Sequence, residues 1–249
     1  MEGRLSRTVH NQSFQCSQLT AITSIGPCDV TSKSDLEQLI KDLSSREEYL
    51  NLLVANAGIS SPKAPPDSES ASQVQDKIWK GESVEDWQSV MTTNVTAVFF
   101  SALAFLPLLQ AAVEPVGPFP SRSSSVIVIS SMSGIMRQSQ GHFAYNAAKG
   151  ATVHLSKLMS TEFEKLSIRV NSIAPGYFPS EMTMQDSNEH NKTHMPSEKV
   201  LSKGHEVPAK RPGSDEEMAQ AVLFLTKNTY VNGEILAVDG GVLTQVPKG

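Results

Sequence analysis

Short runs of apolar residues alternate along the chain with longer stretches in which apolar residues recur every three or four positions. The short runs predict strands at residues 50–55, 126–129, 168–173 and 234–238, with a further short candidate at residues 21–25. The longer stretches predict helices over residues 32–45, 83–112, 142–166 and 214–227. Because strands alternate with helices, the pattern predicts an α/β fold with a doubly wound, Rossmann-like parallel sheet.

Three segments interrupt this pattern. Residues 1–20 show no clear period, and residues 60–82, rich in Ser and Pro, predict a long exposed loop. Residues 180–206 are polar and irregular, as expected of a lid over a substrate or of a disordered insert. No repeat and no second composition regime divides the chain, so we expect a single domain over residues 1–249.

The most informative stretch is the strand at residues 126–129 together with the helix that follows it. Ser131 comes directly after the strand, and Tyr145 and Lys149 stand four residues apart on one face of the next helix. Open α/β sheets bind their ligands at the carboxyl ends of the strands. We therefore expect a hydroxyl, a phenol and an ammonium group to converge at this edge.

These three groups suit proton transfer to a carbonyl oxygen. A cation one helical turn away favours the phenolate, so the spacing predicts a lowered pKa for Tyr145. Tyr145 would then exchange a proton with an oxygen whose carbon exchanges a hydride, while Ser131 hydrogen-bonds that oxygen. A Tyr-x-x-x-Lys spacing alone also fits a half-buried tyrosine beside a solvated lysine, but its place after a buried strand and a Ser-rich turn favours carbonyl reduction or its reverse.

Three further residues are candidates with two interpretations each. Asp29 is either a turn acid or a carboxylate that accepts a bond from an adenine amino group. Asn56, in the Asn-Ala-Gly sequence that ends at Gly58, belongs either to a common turn or to a close approach of a cofactor to the backbone. Asn94 interrupts an apolar helix, where it either caps a local backbone bond or holds a water molecule behind Tyr145 and Lys149.

Composition excludes several classes of function. The 249 residues carry a net charge of −5, which argues against nucleic acid or an anionic membrane as partner. Cys16 and Cys28 are too few for a disulfide framework, and His190 and His194 lie in a polar segment where solvated residues are expected rather than a metal site. Neither a secretory leader nor an uninterrupted apolar run of about 18 residues occurs. The expectation is a soluble, cytoplasmic protein.

Several short motifs in fixed order resemble those of the short-chain dehydrogenase/reductase family, over about residues 20–245. The motifs are Cys28-Asp29-Val30, Asn56-Ala57-Gly58, Asn94, the Ser131, Tyr145 and Lys149 trio, Pro175-Gly176 and Val238-Asp239-Gly240-Gly241. Within the family, residues 175–183 and 207–225 resemble a fungal branch akin to rhamnolipid-type 3-oxoacyl-carrier-protein reductases. The resemblance implies an oxidoreductase that transfers a hydride between NADP(H) and a carbonyl or secondary alcohol, in fungal secondary metabolism.

The resemblance also implies a role for each site residue. Tyr145 would be the acid and base, Lys149 would lower its pKa and bind the nicotinamide ribose, and Ser131 would polarise the substrate carbonyl. Asn94 would hold a relay water. For the cofactor, Asp29 would contact adenine, Asn56 the adjacent ribose, and Phe178 and Ser180 the nicotinamide carboxamide. Pairing of subunits through the two long central helices would give a homodimer or homotetramer.

The sequence departs from the family at its start. The family opens with a strand, a Gly-rich turn and a helix, whose backbone amides hold the pyrophosphate. Here Gly3 and Gly26 are the only glycines before Gly58, so the sequence predicts a sheet truncated at its N-terminal end. Two hypotheses remain open: an NADP-dependent reductase, with NAD not excluded, or a non-catalytic relative or incomplete gene product that binds the cofactor weakly.

Overall fold

The computed structural model describes residues 28–68, 70–113, 123–180, 193–201 and 207–246. Within these ranges, a four-stranded sheet forms from β1 (Leu52–Ala55), β2 (Ser124–Ile129), β3 (Ile168–Pro175) and β4 (Ile235–Val238). The strands lie side by side in chain order and all pair in parallel. The predicted parallel α/β sheet is therefore confirmed. The strand candidate at residues 21–25 and the segment 1–20 lie outside the described residues.

Helices connect the strands. In chain order they are α1 (Lys33–Ser44), α2 (Ala71–Gly81), α3 (Val84–Met91), α4 (Ala97–Ala111), α5 (Phe143–Glu164), α6 (Ser197–Leu201), α7 (Asp215–Lys227) and α8 (Val242–Gln245). A π-helical turn, Thr92–Thr96, joins α3 to α4, and a 3-10 turn, Met132–Gly134, follows β2. Helices α1, α3 and α7 have serine caps: Ser32, Ser83 and Ser214 each accept a backbone N–H at a helix start.

The sheet is covered on both faces, which explains the unbroken apolar run Val126–Ile129 in β2. Val126 and Val128 point into a core formed with α4 and α5. Ile127, between them, packs with Ile173 and Leu225 on the opposite face, under α7. Successive strand residues point to opposite faces, so a sheet buried on both sides needs an unbroken apolar run rather than an alternating one.

The segment predicted as one long loop, residues 60–82, contains a helix. Ser70 caps α2, whose most covered side chains are Val74 and Ile78, one helical turn apart. Trp79 on the same helix is 82% exposed. In the polar segment 180–206, residues 197–201 form the short helix α6, while residues 181–192 and 202–206 lie outside the described residues. The lid and the single-domain assignment for residues 1–249 stay predictions.

The helical stretch Val84–Ala111 spans 28 residues, with a mean hydropathy of 1.6 over its most apolar window, so length and composition alone would let it cross a membrane. Polar residues, among them Asn94, interrupt it. Ala102, Phe105 and Leu109 from its α4 part are buried in the core against β2. This packing accounts for its apolar composition without a lipid environment, since the core helix of a soluble protein has the same character.

Candidate active site

Two adjacent serines at the end of β2 have different functions. The backbone N–H and the hydroxyl of Ser130 both donate to the carbonyl oxygen of Ile173, at 2.8 and 3.0 Å, which ties β2 to β3. Ser131 has extended backbone, starts the 3-10 turn and accepts a bond from the amide of Ser133 at 3.1 Å. Ser131, and not Ser130, therefore lies at the head of the turn that faces α5.

The structure brings Tyr145 to Ser131. The Ser131 hydroxyl lies close enough to the Tyr145 phenol to influence its pKa, and Tyr145 lies in the first turn of α5, a helix of 22 residues. Burial raises the pKa of the Tyr145 phenol, and the nearby Ser131 hydroxyl opposes that rise without cancelling it. The predicted lowering of the Tyr145 pKa is therefore wrong for this state of the protein, in which desolvation of the phenolate is the larger effect.

Lys149 is 4% exposed, and its ammonium group donates to the carbonyl oxygen of Ile129 at 2.8 Å. Burial lowers the pKa of Lys149 from 10.5 to about 8. Its Nζ atom lies 5.8 Å from the centroid of the Tyr145 ring. The ammonium group thus lies beside the phenol ring and is hydrogen-bonded to the strand.

Asn94 lies in the π-helical turn, fully buried. Its side-chain oxygen accepts from the amide of Ile59 at 2.8 Å, and its side-chain nitrogen donates to the carbonyl oxygen of Ile59 at 2.9 Å. Its own backbone carbonyl accepts the hydroxyl of Thr152, from α5, at 2.7 Å. The interpretation that Asn94 caps a local backbone bond is therefore wrong. Asn94 instead connects the segment after β1, through Ile59, to α5, the helix that carries Tyr145.

Gly58 occupies the space between these groups. A Cβ atom at this position would lie 3.1 Å from the side-chain oxygen of Asn94 and 3.6 Å from the ammonium nitrogen of Lys149. A side chain here would therefore fill the approach to Lys149. The absence of a Cβ keeps this approach open, as a ribose or nicotinamide ring requires. The residues present thus fit the nicotinamide end of a dinucleotide.

One cavity of about 1030 Å³ contains most of the predicted site residues. Its walls include Asn56, Gly58, Ser131, Tyr145, Lys149, Phe178 and Ser180. Asp29 does not line it; one carboxylate oxygen of Asp29 accepts both the amide and the hydroxyl of Thr31, at 2.9 and 2.7 Å. The structure therefore supports the turn-acid interpretation of Asp29. Within the described ranges, no cluster of three or more His, Cys, Asp or Glu residues could hold a metal ion.

Sequence reasoning missed part of the cavity wall. Asp215, Met218 and Val222 from α7 also line the cavity. Their spacing of three and four residues puts them on one helical face, so periodicity was a usable signal. Gly134 was also missed; it lies against the backbone of Lys149, a contact that leaves no signal in a single sequence.

A doubly wound parallel sheet with a serine, a tyrosine and a lysine at the carboxyl edge of a central strand defines a class of dinucleotide-dependent oxidoreductases. A family model described as enoyl-(acyl carrier protein) reductase matches residues 11–243. The short-chain dehydrogenase/reductase SAT3 of Stachybotrys chartarum is 35% identical over 232 residues, covering 87% of this chain and 84% of that protein. This chain belongs to the short-chain dehydrogenase/reductase family.

Other relatives agree with this membership. The rhamnolipids biosynthesis 3-oxoacyl-[acyl-carrier-protein] reductase of Pseudomonas aeruginosa is 31% identical over 217 residues, 86% of this chain and 75% of that one. A solved Pseudomonas aeruginosa RhlG/NADP active-site complex has a TM-score of 0.68 and 30% identity, over 87% of this chain and 75% of that one. A gluconate 5-dehydrogenase from Burkholderia cenocepacia, in complex with NADP and tartrate, has a TM-score of 0.67 and 26% identity, over 88% and 74%.

Proposed function

We propose that this protein reduces a small-molecule carbonyl compound with NADPH, or oxidises the corresponding secondary alcohol in the reverse direction. The observation that carries the proposal is that Ser131 and Tyr145 lie close together in the wall of the large cavity, with Lys149 one turn further along α5. These are the three groups that proton transfer to a carbonyl oxygen requires. With this trio assembled, the non-catalytic alternative is not favoured.

Tyr145 acts as the acid in the proposed reduction. Its raised pKa keeps the phenol protonated at neutral pH, so it can donate a proton to the substrate oxygen as that oxygen becomes an alkoxide. The hydroxyl of Ser131 donates a hydrogen bond to the same oxygen and holds it beside Tyr145. Bound NADPH supplies the hydride that the carbonyl carbon receives. In the reverse direction, Tyr145 must first lose its proton, which requires a higher pH.

Lys149 and Asn94 support this transfer. With a pKa of about 8, Lys149 is mostly protonated at neutral pH, and we propose that it exchanges the carbonyl of Ile129 for the ribose hydroxyls of the cofactor. A cation in that place favours the phenolate that remains after proton donation. We propose that Asn94 holds a relay water close to Lys149. The water would occupy the space between the side chains of Asn94 and Lys149 that Gly58 leaves open because it has no side chain.

For the cofactor we propose NADP, with NAD as the alternative. Two structures of similar proteins are NADP complexes, which supports this choice. Asn56 would bind the ribose region, and Phe178 and Ser180 the nicotinamide carboxamide, because all three line the cavity that contains Tyr145. Asp29 would contact adenine through its second carboxylate oxygen, because Thr31 bonds to Oδ1 alone.

The proposed setting is fungal secondary metabolism in the cytoplasm. Similarity to proteins of Stachybotrys chartarum and Diaporthe leptostromiformis, at 35% and 34% identity, supports the fungal setting. We further propose a homodimer or homotetramer formed through α4 and α5. Leu103 on α4 and Leu158 on α5 are 42% and 52% exposed, so each helix offers an apolar side chain to a second subunit.

The test combines NADPH binding with turnover. The purified chain is titrated with NADPH and with NADH by fluorescence, and NADPH oxidation is followed with a panel of ketones and 3-oxoacyl thioesters. Tyr145→Phe should lower kcat by about 10²–10⁴-fold while binding NADPH as before. Tyr230→Phe, at a fully exposed tyrosine, is the matched control and should leave kcat unchanged. Equal activity of Tyr145→Phe and the native chain would refute the assignment.

A further inference from the structure

Gln140 has an unusual backbone conformation close to the active site. Its φ is +54°, in the left-handed region that non-glycine residues rarely adopt, and Gly141 follows with φ +79°. The amide of His142 donates to the carbonyl of Ser139 at 2.9 Å, which closes a tight turn around both residues. Strain of this kind persists only where surrounding contacts enforce it, and it occurs often at functional sites.

Contacts on two sides enforce this turn. The side chain of Asn146, the residue after Tyr145, donates to the carbonyls of Gln138 and Ser139 at 3.0 and 3.1 Å. On the other side, the amide of Ala64 donates to the carbonyl of Gly141 at 2.7 Å. The turn is therefore held between the first turn of the catalytic helix α5 and the segment that follows β1.

The side chain of Gln140 projects from this turn to the far side of the site. Its amide nitrogen donates to the phenol oxygen of Tyr177 at 2.8 Å. Tyr177 follows Pro175 and Gly176 at the end of β3, and Phe178 beside it lines the large cavity. The bond thus joins the two walls of the site, one with Ser131 and Tyr145 and the other with Phe178 and Ser180.

Part of the packing around Tyr177 can adapt to a shift of its side chain. Tyr177 packs against a cluster of buried residues that includes Met132, Met136 and Met195. Methionine side chains are unbranched and flexible, so they adapt to a neighbour that shifts. A directional hydrogen bond does not adapt in this way, because it weakens steeply when the angle or the distance changes.

From these observations we infer that the hydrogen bond between Gln140 and Tyr177 sets the separation of the two walls and so limits the size of the carbonyl substrate. Both are positioning residues, because they act through the walls and not on the reacting atoms. The inference rests on the proposed carbonyl reduction. Without the bond, the segment after β3 moves into the space that the methionines yield, and the site accepts bulkier ketones.

Three variants distinguish the effect of the Gln140–Tyr177 hydrogen bond from the effect of the surrounding packing. Tyr177→Phe removes the phenol oxygen and keeps the ring, and Gln140→Gly removes the side chain while favouring the left-handed turn. Gln140→Glu retains the bond in reversed form, with Tyr177 as the donor, and should behave as the native protein. Tyr230→Phe, at a tyrosine that is fully exposed, is the control for the chemical change itself.

Selectivity is measured as the ratio of kcat/KM for benzophenone to kcat/KM for butan-2-one. The ratio should rise about tenfold in Tyr177→Phe and in Gln140→Gly, as expected for the loss of one hydrogen bond. The double variant should show no further rise, since both single changes remove the same bond. A ratio within about twofold of the native value in both single variants would overturn the inference while leaving carbonyl reduction itself intact.

A second measurement needs no turnover. Amide hydrogen exchange of the unliganded protein should be about fivefold faster in Tyr177→Phe than in the native chain for peptides that cover residues 138–142 and 176–180. Tyr230→Phe should leave both peptides unchanged. If the native chain reduced no ketone, the proposed function would fail and exchange alone would decide the inference. Unchanged exchange in Tyr177→Phe would overturn it.

Discussion

Gly134 lies directly against the backbone of Lys149. A Cβ atom at position 134 would come within 2.5 Å of both the carbonyl carbon and the carbonyl oxygen of Lys149, closer than packed atoms can approach. Gly134 ends the turn that starts at Ser131, and Lys149 lies one helical turn beyond Tyr145. The absence of a side chain at position 134 therefore sets the distance between the Ser131 turn and the catalytic helix.

Gly134→Ala should lower kcat and the free energy of unfolding together. The methyl group has no flexible neighbour to displace, so the turn must move away from α5, at a cost of about 1–3 kcal/mol. That movement also separates Ser131 from Tyr145. Gly150→Ala is the matched control, because its Cβ would meet the carbonyl oxygen of Gly134 at an ordinary 3.5 Å. Urea unfolding and ketone turnover measure both effects; equal behaviour of the two variants would contradict the argument.

The low pKa of Lys149 predicts a pH-dependent stability. Its folded pKa of about 8 lies below the ordinary 10.5, so between these values the unfolded chain binds more protons and the free energy of unfolding rises with pH. Burial of the charged group costs about 3 kcal/mol below pH 8, and this cost disappears by about pH 10.5. Lys149→Met has no titratable group at this position. Urea unfolding of this variant between pH 7 and 10 should therefore show no increase in the free energy of unfolding from this source.

Deprotonation of Lys149 should also weaken the binding of NADPH. Above pH 8, Lys149 loses the charge with which we propose it binds the cofactor ribose, so the affinity for NADPH should fall as pH rises through this value. Fluorescence titration at pH 6.5 and 9.5 measures the change. Lys149→Arg, which stays protonated throughout, should show a flat profile over the same range if it folds. A native profile as flat as that of the arginine variant would exclude this role.

Substitution of Arg169, which lies outside the active site, should strongly lower the free energy of unfolding. Arg169 is 6% exposed, and its guanidinium donates to the carbonyls of Leu225, Thr226 and Val231 at 2.8–3.0 Å. These carbonyls lie at or just after the C-terminal end of α7, where a cation is favoured. Arg169→Lys should lower the free energy of unfolding by about 3 kcal/mol, because an ammonium cannot reach all three. Arg137→Lys, at an exposed site, should change it by less than about 0.5 kcal/mol.

Asn94→Ala tests the link between the segment after β1 and the catalytic helix. The change leaves the amide and the carbonyl of Ile59 without their partner, which should cost about 2 kcal/mol of stability. Because Gly58 precedes Ile59, the affinity for NADPH should fall as well. Gln88→Ala removes an exposed amide from α3 and should alter neither quantity. Thermal unfolding and NADPH titration would check both expectations, and native-like values for Asn94→Ala would contradict them.

Most of the fold could be predicted because its signals are local. The apolar runs at residues 126–129 and 168–173 became β2 and β3 with small changes at their ends. The helices missed within the described part of the chain were α6, α8 and, the longest of the three, α2. Its Ser70 cap and its apolar pair Val74 and Ile78 were present in the sequence, but the Ser- and Pro-rich flanks outweighed them in the prediction.

By itself, the sequence determined the order of strands and helices and the placement of Ser131, Tyr145 and Lys149 at one sheet edge, because periodicity and spacing act over a few residues. The tertiary structure alone decided the contacts of Asn94 with Ile59, 35 residues away, and of Gln140 with Tyr177, 37 residues away. It also decided that Lys149 binds the carbonyl of Ile129 and that burial raises the pKa of Tyr145. Distant partners and desolvation depend on how the elements pack, and no spacing in the chain encodes them.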